Sequence, residues 1–252
     1  MRGWHVDILM YHAIADAPGP TSIAPDIFAA QMAALAEAGI PVITMDDLAG
    51  YHGTGAPAPY AVVITFDDGF RSFADIAWPV MRGHGFRPIV YLPSGLVGGF
   101  EDWRDCHIPP RRIMDWATIG RLAGEGVMFG SHNVSHPDLT TLAAAVQEAE
   151  LTNSSATIET RLGHPIRHFA PPYGAATPAI RQRIAAHYTT SVGTRLGTVS
   201  AGADLYDLPR LEMFYFTDPA RWRAHIAGRG GFYLARRKLL RTLRQTALSS
   251  FR

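Results

Sequence analysis

Three short segments carry residues that can do hydrolytic chemistry together. The first is Thr65-Phe66-Asp67-Asp68-Gly69-Phe70, where the apolar run Ala61–Phe66 reads as a strand ending in two adjacent carboxylates. Successive side chains on an extended segment point in different directions. One carboxylate can therefore bind a metal while the other faces a reacting water, and Gly69 lets the backbone turn sharply beside them. Taken alone, such a pair reads as a helix N-cap at a strand-to-helix junction. The second segment is Gly130-Ser131-His132-Asn133-Val134-Ser135-His136, again after an apolar strand. Two histidines four apart in a helical turn share a face, so both imidazoles can reach one ion. With eleven histidines in the chain one such pair is weak evidence; beside Asp67-Asp68 it gains weight. Two histidines and one aspartate leave coordination positions open, as a catalytic site needs and a closed structural site does not. Zn²⁺ suits this donor set, and Co²⁺, Ni²⁺ or Fe²⁺ fit the same geometry.

The third segment is Ala170-Pro171-Pro172-Tyr173-Gly174. Its prolines fix the backbone and its glycine allows a tight turn. A rigid turn can aim a backbone N–H at a developing oxyanion; the competing reading is an ordinary turn. Together the three segments resemble the polysaccharide deacetylase family, carbohydrate esterase family 4, which shares the chitooligosaccharide deacetylase domain. The resemblance spans residues 5–215. It implies Asp67 as catalytic base, Asp68, His132 and His136 as metal ligands, and the Tyr173 backbone as oxyanion donor.

This chain departs from the family pattern at two places. Ala170 stands where the family turn begins with an arginine that contacts the catalytic aspartate. The Leu-His that supplies the general acid near the family C-terminus is also missing. Ile8-Leu9-Met10-Tyr11-His12, however, ends a strand at the start of the chain. In a closed barrel the last strand neighbours the first, so moving it to the other chain end keeps its place in space. His12 is accordingly read as the displaced general acid, against the reading of a packed histidine near the barrel mouth. The early Tyr-His and the alanine resemble the branch that deacetylates poly-N-acetylglucosamine exopolysaccharides. Arg210, in Leu208-Pro209-Arg210, reads either as the replacement arginine that keeps Asp67 ionised or as a surface residue. Asp115-Trp116 reads equally as a helix cap followed by a core tryptophan or as a pocket wall for the acetyl methyl or a sugar face.

These segments must be held by regular elements. Short apolar runs predict strands at Val6–Met10, Ala61–Phe66, Pro88–Leu92, Val127–Gly130, His168–Ala170, Tyr188–Val192 and Leu208–Met213. Helical periodicity marks Pro25–Ala38, Ser72–Gly83, Trp116–Gly124, Leu139–Arg161 and Thr177–Ala186. Strands alternating with helices imply parallel pairing. Seven such strands favour an α/β fold of the distorted (β/α)7-barrel type, with the general-acid strand at the N-terminus. Chemistry in such barrels sits at the C-terminal strand ends, where all the residues above fall. The long connection Pro93–Asp115 should lie over the barrel mouth, as a substrate-binding loop or as a plain insertion.

Composition bounds the rest. The 252 residues are 47% hydrophobic and 18% charged, which suits a globular chain with a large core. A single cysteine, Cys106, makes no internal disulfide. No apolar leader follows Met1-Arg2, so a cytoplasmic location is expected. Residues 232–252 carry a charge of +6 and residues 1–231 carry −5, which argues against a nucleic-acid-binding body. A catalytic barrel over 1–231 and a basic amphipathic helix or tail over 232–252 are therefore expected. In the tail Leu240, Leu243, Ala247 and Phe251 share one face, and Arg237, Arg241 and Arg244 another. That pattern fits peripheral contact with the inner face of an anionic membrane, packing against the acidic body, a homodimer contact, or a disordered tail. The expected activity is metal-dependent removal of acetyl groups from N-acetylglucosamine-type residues of an exopolysaccharide or its lipid-linked precursor. An amidase acting on a small amide in a closed pocket, or a carbohydrate-binding protein without catalysis, would use the same barrel.

Overall fold

The computed structural model describes residues 3–54, 59–103 and 109–249. Seven parallel strands form the frame: β1 (His5–Tyr11), β2 (Tyr60–Phe66), β3 (Ile89–Leu92), β4 (Met128–Ser131), β5 (His168–Phe169), β6 (Thr190–Leu196) and β7 (Leu208–Glu212). They pair in chain order, and β7 returns to β1 with Leu9 opposite Leu211 and Met10 opposite Glu212, closing the barrel. The strand pair Val199–Ser200 runs antiparallel on the base of β1. Of the six crossovers, β6 to β7 is the one without a helix, and this distorts the (β/α)7 pattern.

The helices are α1 (Pro25–Glu37), α2 (Met45–Thr54), α3 (Trp78–Gly83), α4 (Trp116–Gly124), α5 (Ala144–Leu162), α6 (Pro178–His187), α7 (Pro219–Ala224) and α8 (Gly231–Ser249). Pro25 starts α1 where a missing N–H costs nothing, and Phe28, Gln31, Met32 and Leu35 bury one stripe of it. The period-two alternation of the strands divides the apolar residues into two layers. On β2, Val62, Ile64 and Phe66 pack outward under the helices, while Ala61 and Val63 fill the barrel with Val6, Ile8, Tyr91 and Val192. Met45 and Leu48 join this inner cluster, so α2 plugs the N-terminal end of the barrel. The active surface is left to the other end.

Several boundaries differ from the sequence reading. The run Leu139–Arg161 is two pieces, a 3₁₀ turn Leu139–Thr141 capped by Asp138 and then α5. The stretch before α3 opens as a π-helical turn, Phe73–Ala77. Helix α2 was not foreseen, although Thr44 and Asp47 cap it reciprocally: Asp47 accepts from the Thr44 amide at 2.9 Å, and Thr44 Oγ1 accepts from the Asp47 amide at 3.1 Å. Strand β6 continues past Gly193 to Leu196, and a Cβ at Gly193 would meet Oδ1 of Asp207, the residue before β7, at 2.6 Å.

The tail begins as a helix docked on the body. In α8, Leu234 is buried, the Tyr233 hydroxyl donates to the Tyr215 carbonyl at 2.7 Å, and the Arg237 guanidinium lies 4.7 Å from the Tyr215 ring centre. Arg237, on the face assigned to Arg237, Arg241 and Arg244, thus takes part in the packing of the helix on the body. The side chains of Leu243, Arg244 and Ala247 lie outside the described set, as do Cys106 and Phe251. No described helix is long and apolar enough to cross a membrane.

Phe28 is fully buried and meets Tyr11 edge-on at 5.2 Å and Phe66 at 5.9 Å. Truncating it opens a cavity between α1 and the barrel. Phe28→Ala is expected to lower stability by about 3–5 kcal/mol, read as a lower urea midpoint at unchanged m-value.

Candidate active site

The C-terminal strand ends meet in one cleft of about 440 Å³, whose lining includes His12, Asp67, Asp68, His132, His136 and Tyr173. Six of the seven expected site residues therefore come together at its wall. The seventh, Arg210, sits directly beneath. It lies within β7 and is only 1% exposed, so the surface alternative is excluded. The register of β7 against β6 slips around Pro209, with Leu208 opposite Val192 and Arg210 opposite Leu196. Its guanidinium donates to both oxygens of Asp67 at 2.7 Å, to Thr65 Oγ1 at 3.2 Å and to the Gly193 carbonyl at 2.8 Å. This is the bidentate fork that only arginine offers a carboxylate. Burial alone would raise the Asp67 carboxyl; Arg210, with His132 and His12, outweighs it and holds the pKa below the ordinary carboxylate range. Asp67 is an anion at neutral pH.

His12 follows β1 directly, with Nε2 3.9 Å from Asp67 Oδ2 and Nδ1 buried without a hydrogen-bond partner. Glu212, opposite Met10 across the closing seam, was not singled out in the sequence; its burial raises its carboxyl more than His12 and Arg210 lower it. Nothing in its local sequence marks it, since its closeness arises from barrel closure.

Asp68 Oδ1 lies 3.3 Å from Nε2 of both His132 and His136. The ligand atoms of this buried trio all fall within 4.8 Å of one another. His132 Nδ1 is 2.6 Å from the Ala170 carbonyl, which fixes the ring and leaves Nε2 to a ligand. Burial would lower both imidazoles. For His132 the Asp68 hydrogen bond and the neighbouring carboxylates prevail and raise the pKa, whereas for His136 burial wins and lowers it. The donor set and its spacing fit a divalent metal. The histidines do not share a helical turn as expected: a loop follows β4, with Asn133 and His136 at φ 65° and 57°. Asp68 (71°) and Tyr173 (60°) complete the set of non-glycine residues with positive φ among those described. All four lie in the three site segments, where strained backbone aims the side chains.

The supports of these loops come from elsewhere in the chain. Glu150 of α5 accepts from the amides of Val134 and Ser135 at 2.7 and 3.1 Å and from the Ser135 hydroxyl at 2.7 Å. Ser154 Oγ donates to the Asn133 carbonyl at 2.8 Å. Gly174 (φ +68°) lets the proline turn press onto β6, where a Cβ would meet the Thr194 amide nitrogen at 2.8 Å. The described parts of the long loop, residues 93–103 and 109–115, reach the mouth, where Glu101, Trp103 and Arg111 line the cleft. Trp103 stacks on His136 with ring centres 3.7 Å apart, and Arg111 forks onto the buried Glu101 at 2.7 and 2.8 Å. Trp116 is not a wall of the cleft: Asp115 caps α4 by accepting from the Thr118 amide at 2.8 Å, and Trp116 packs into the outer core.

The chain belongs to the polysaccharide deacetylase family, whose model matches residues 54–192. It is similar to the polysaccharide deacetylase YxkH of Bacillus subtilis (strain 168), at 22% identity over 82% of this chain and 70% of that one. The same fold is found in the Streptococcus pyogenes deacetylase PplD, solved with acetate, with TM-score 0.73, 24% identity and coverage of 83% and 92% of the two chains. It is found again in IcaB from Ammonifex degensii, with TM-score 0.73, 20% identity and coverage of 88% and 97%.

Two outcomes are expected. Glu150→Ala should keep the fold but loosen the histidine loop, weakening Zn²⁺ binding roughly 10–100-fold in calorimetric titration. Arg210→Gln leaves Asp67 buried without its cation and should cost about 3–5 kcal/mol. Because the folded Asp67 pKa is depressed, the pair stabilises fully above the ordinary carboxylate range and is lost as pH falls below it. In Arg210→Gln the carboxyl moves up, so the acidic limb of the kcat/KM profile should move to higher pH.

Proposed function

We propose that this chain is a metal-dependent N-deacetylase that removes acetyl groups from N-acetylhexosamine residues, N-acetylglucosamine foremost, of an exopolysaccharide or its lipid-linked precursor. One observation carries the reading. A carboxylate kept ionised by Arg210 stands beside a buried Asp-His-His cluster and a third histidine, His12, all in one cleft. Amide hydrolysis needs a base, an electrophile and an acid within reach of one carbonyl.

A divalent metal held by Asp68, His132 and His136, with Zn²⁺ as first choice, supplies Lewis acidity and a water of lowered pKa. Asp67 accepts the proton of the water whose oxygen bonds to the acetamide carbon. Arg210 fixes the orientation of Asp67 so that its basic lone pairs face the cleft. The Tyr173 backbone N–H supports the charge that develops on the carbonyl oxygen. His12, protonated, gives its proton to the amine nitrogen as the C–N bond breaks. The products are acetate and a free amino sugar, and the acetate in the PplD structure agrees with this. The site is complete without the arginine missing at position 170, because Arg210 reaches the same carboxylate from β7; this weighs against a non-catalytic binding protein. An open cleft walled by Trp103 and Tyr173 suits a sugar chain better than a small amide.

For location, we place the enzyme in the cytoplasm at the inner membrane face. Phe232 is 85% exposed on α8, near Arg229 and Arg236, which suits a shallow interfacial contact.

Acetate release from N-acetylglucosamine oligomers should stop with chelator and return with Zn²⁺ or Co²⁺. Asp67→Asn should bind metal normally and lose turnover, whereas Asp68→Ala and His132→Ala should lose both. His12→Gln should lower kcat about 10²–10⁴-fold at unchanged metal affinity. Full activity in Asp67→Asn would overturn the assignment of the base.

A further inference from the structure

A second groove opens beside the catalytic cleft. It shares two wall residues with the cleft, Gly174 and Thr194, and continues over Arg195, Asp207, Lys238 and Arg241. The first two cations and the carboxylate come from separate parts of the barrel and α8, and Arg241 follows Lys238 one turn on. Asp207 is the one carboxylate of this wall, and two guanidiniums already share it, Arg195 at 3.4 Å and Arg181 at 3.2 Å. Three cationic residues, Arg195, Lys238 and Arg241, therefore line the groove against one carboxylate, next to the acetyl-hydrolysing centre. In the catalytic cleft itself the charges are matched differently: Asp67 is covered by Arg210, and Glu101 by Arg111.

The basic residues of the tail divide between two tasks. Arg237 is engaged on the rings of Tyr215 and Tyr233 and helps to dock α8. Lys238 and Arg241 line the groove. Docking of α8 thus brings Lys238 and Arg241 to the threshold of the active site. A neutral sugar chain has no use for such a wall, whereas a chain bearing anions along it would be drawn in and aligned.

We propose that this groove is a substrate subsite for an anionic group, a carboxylate or a phosphate, carried by the glycan near the N-acetyl sugar being hydrolysed. The proposal rests on the deacetylase reading and narrows its substrate class to anionic, N-acetylated glycans. Arg195, Lys238 and Arg241 act as specificity residues, outside the hydrolytic machinery.

The test compares three oligosaccharides of equal length with wild type and the Lys238→Gln/Arg241→Gln double variant: neutral N-acetylglucosamine oligomer, N-acetylglucosamine alternating with glucuronate, and phosphodiester-linked N-acetylglucosamine. Binding to the full-length Asp67→Asn protein is measured by calorimetry, so that the readout does not depend on turnover. At least one anionic ligand should bind roughly tenfold tighter than the neutral one, as one good charged contact would provide. The advantage should vanish in the double variant and in about 1 M salt, where the screening length falls to about 3 Å. The better of the two anionic ligands identifies the anion. Equal binding of all three, or an anionic advantage that survives the double variant, overturns the subsite. So does loss of binding to phosphatidylglycerol vesicles in the double variant with no preference among oligosaccharides, which would assign these cations to a membrane surface. Acetate release by wild type from the neutral oligomer reads the deacetylase assignment separately.

Discussion

The pairing of Asp67 with Arg210 inside the barrel governs the rest of the site. Neither charge could stand there alone. An isolated carboxylate at that depth would take up a proton, and an isolated guanidinium would carry a desolvation cost of several kcal/mol. Together, with Thr65 and the Gly193 carbonyl taking further hydrogens of the guanidinium, they form a satisfied buried network. The network joins β2 to β7, strands separated by 143 residues of chain. Barrel closure and the charge of buried Asp67 are therefore linked: at that depth the carboxylate stays ionised because the last strand brings Arg210 to it.

Around that pair, the reactive side chains stand on short loops whose backbones are held in unfavourable conformations. Asp68, Asn133, His136 and Tyr173 all have positive φ, a state costing of order 1–3 kcal/mol each for such residues. The compensation is spread over the scaffold. Glu150 and Ser154 on α5 hold the histidine loop by its amides and carbonyl, and Gly174 lets the proline turn reach β6. The inner apolar cluster and the plug made by α2 provide the rigid base. The histidine loop is thus preorganised by hydrogen bonds from α5, whose Glu150 and Ser154 do not line the cleft.

The cleft and the groove beside it have different electrostatic character. Charges needed for hydrolysis are buried and matched in pairs, so their protonation states are set by near neighbours. Charges along the groove are more exposed and act over longer range, subject to screening. Helix α8 contributes to the lining of the groove and not to that of the cleft.

Much of this was legible in one sequence. Alternating apolar runs and helical stripes located all seven barrel strands, and the family pattern drew attention to Asp67, Asp68, His132, His136 and Tyr173. The early Tyr-His pointed to His12 because a closed barrel makes its first and last strands neighbours. Arg210 stayed divided between two readings, since a lone arginine near a proline carries no local sign of burial. Glu150 and Glu212 left no sign either: each matters through a partner that only folding supplies. Helix α2 had a readable cap in Thr44 and Asp47 but too little apolar periodicity to stand out. The histidine pair was expected on a helical turn, and the loop that carries it depends on Glu150 and Ser154, a contact between α5 and the end of β4. Sequence by itself determined the alternation of strands and helices and the residue types at the strand ends, because periodicity and turn chemistry are local. Which charges are buried, which are paired, and which wall of the cleft stays cationic was decided by tertiary structure, because solvation and Coulomb energy depend on distances that chain order does not record.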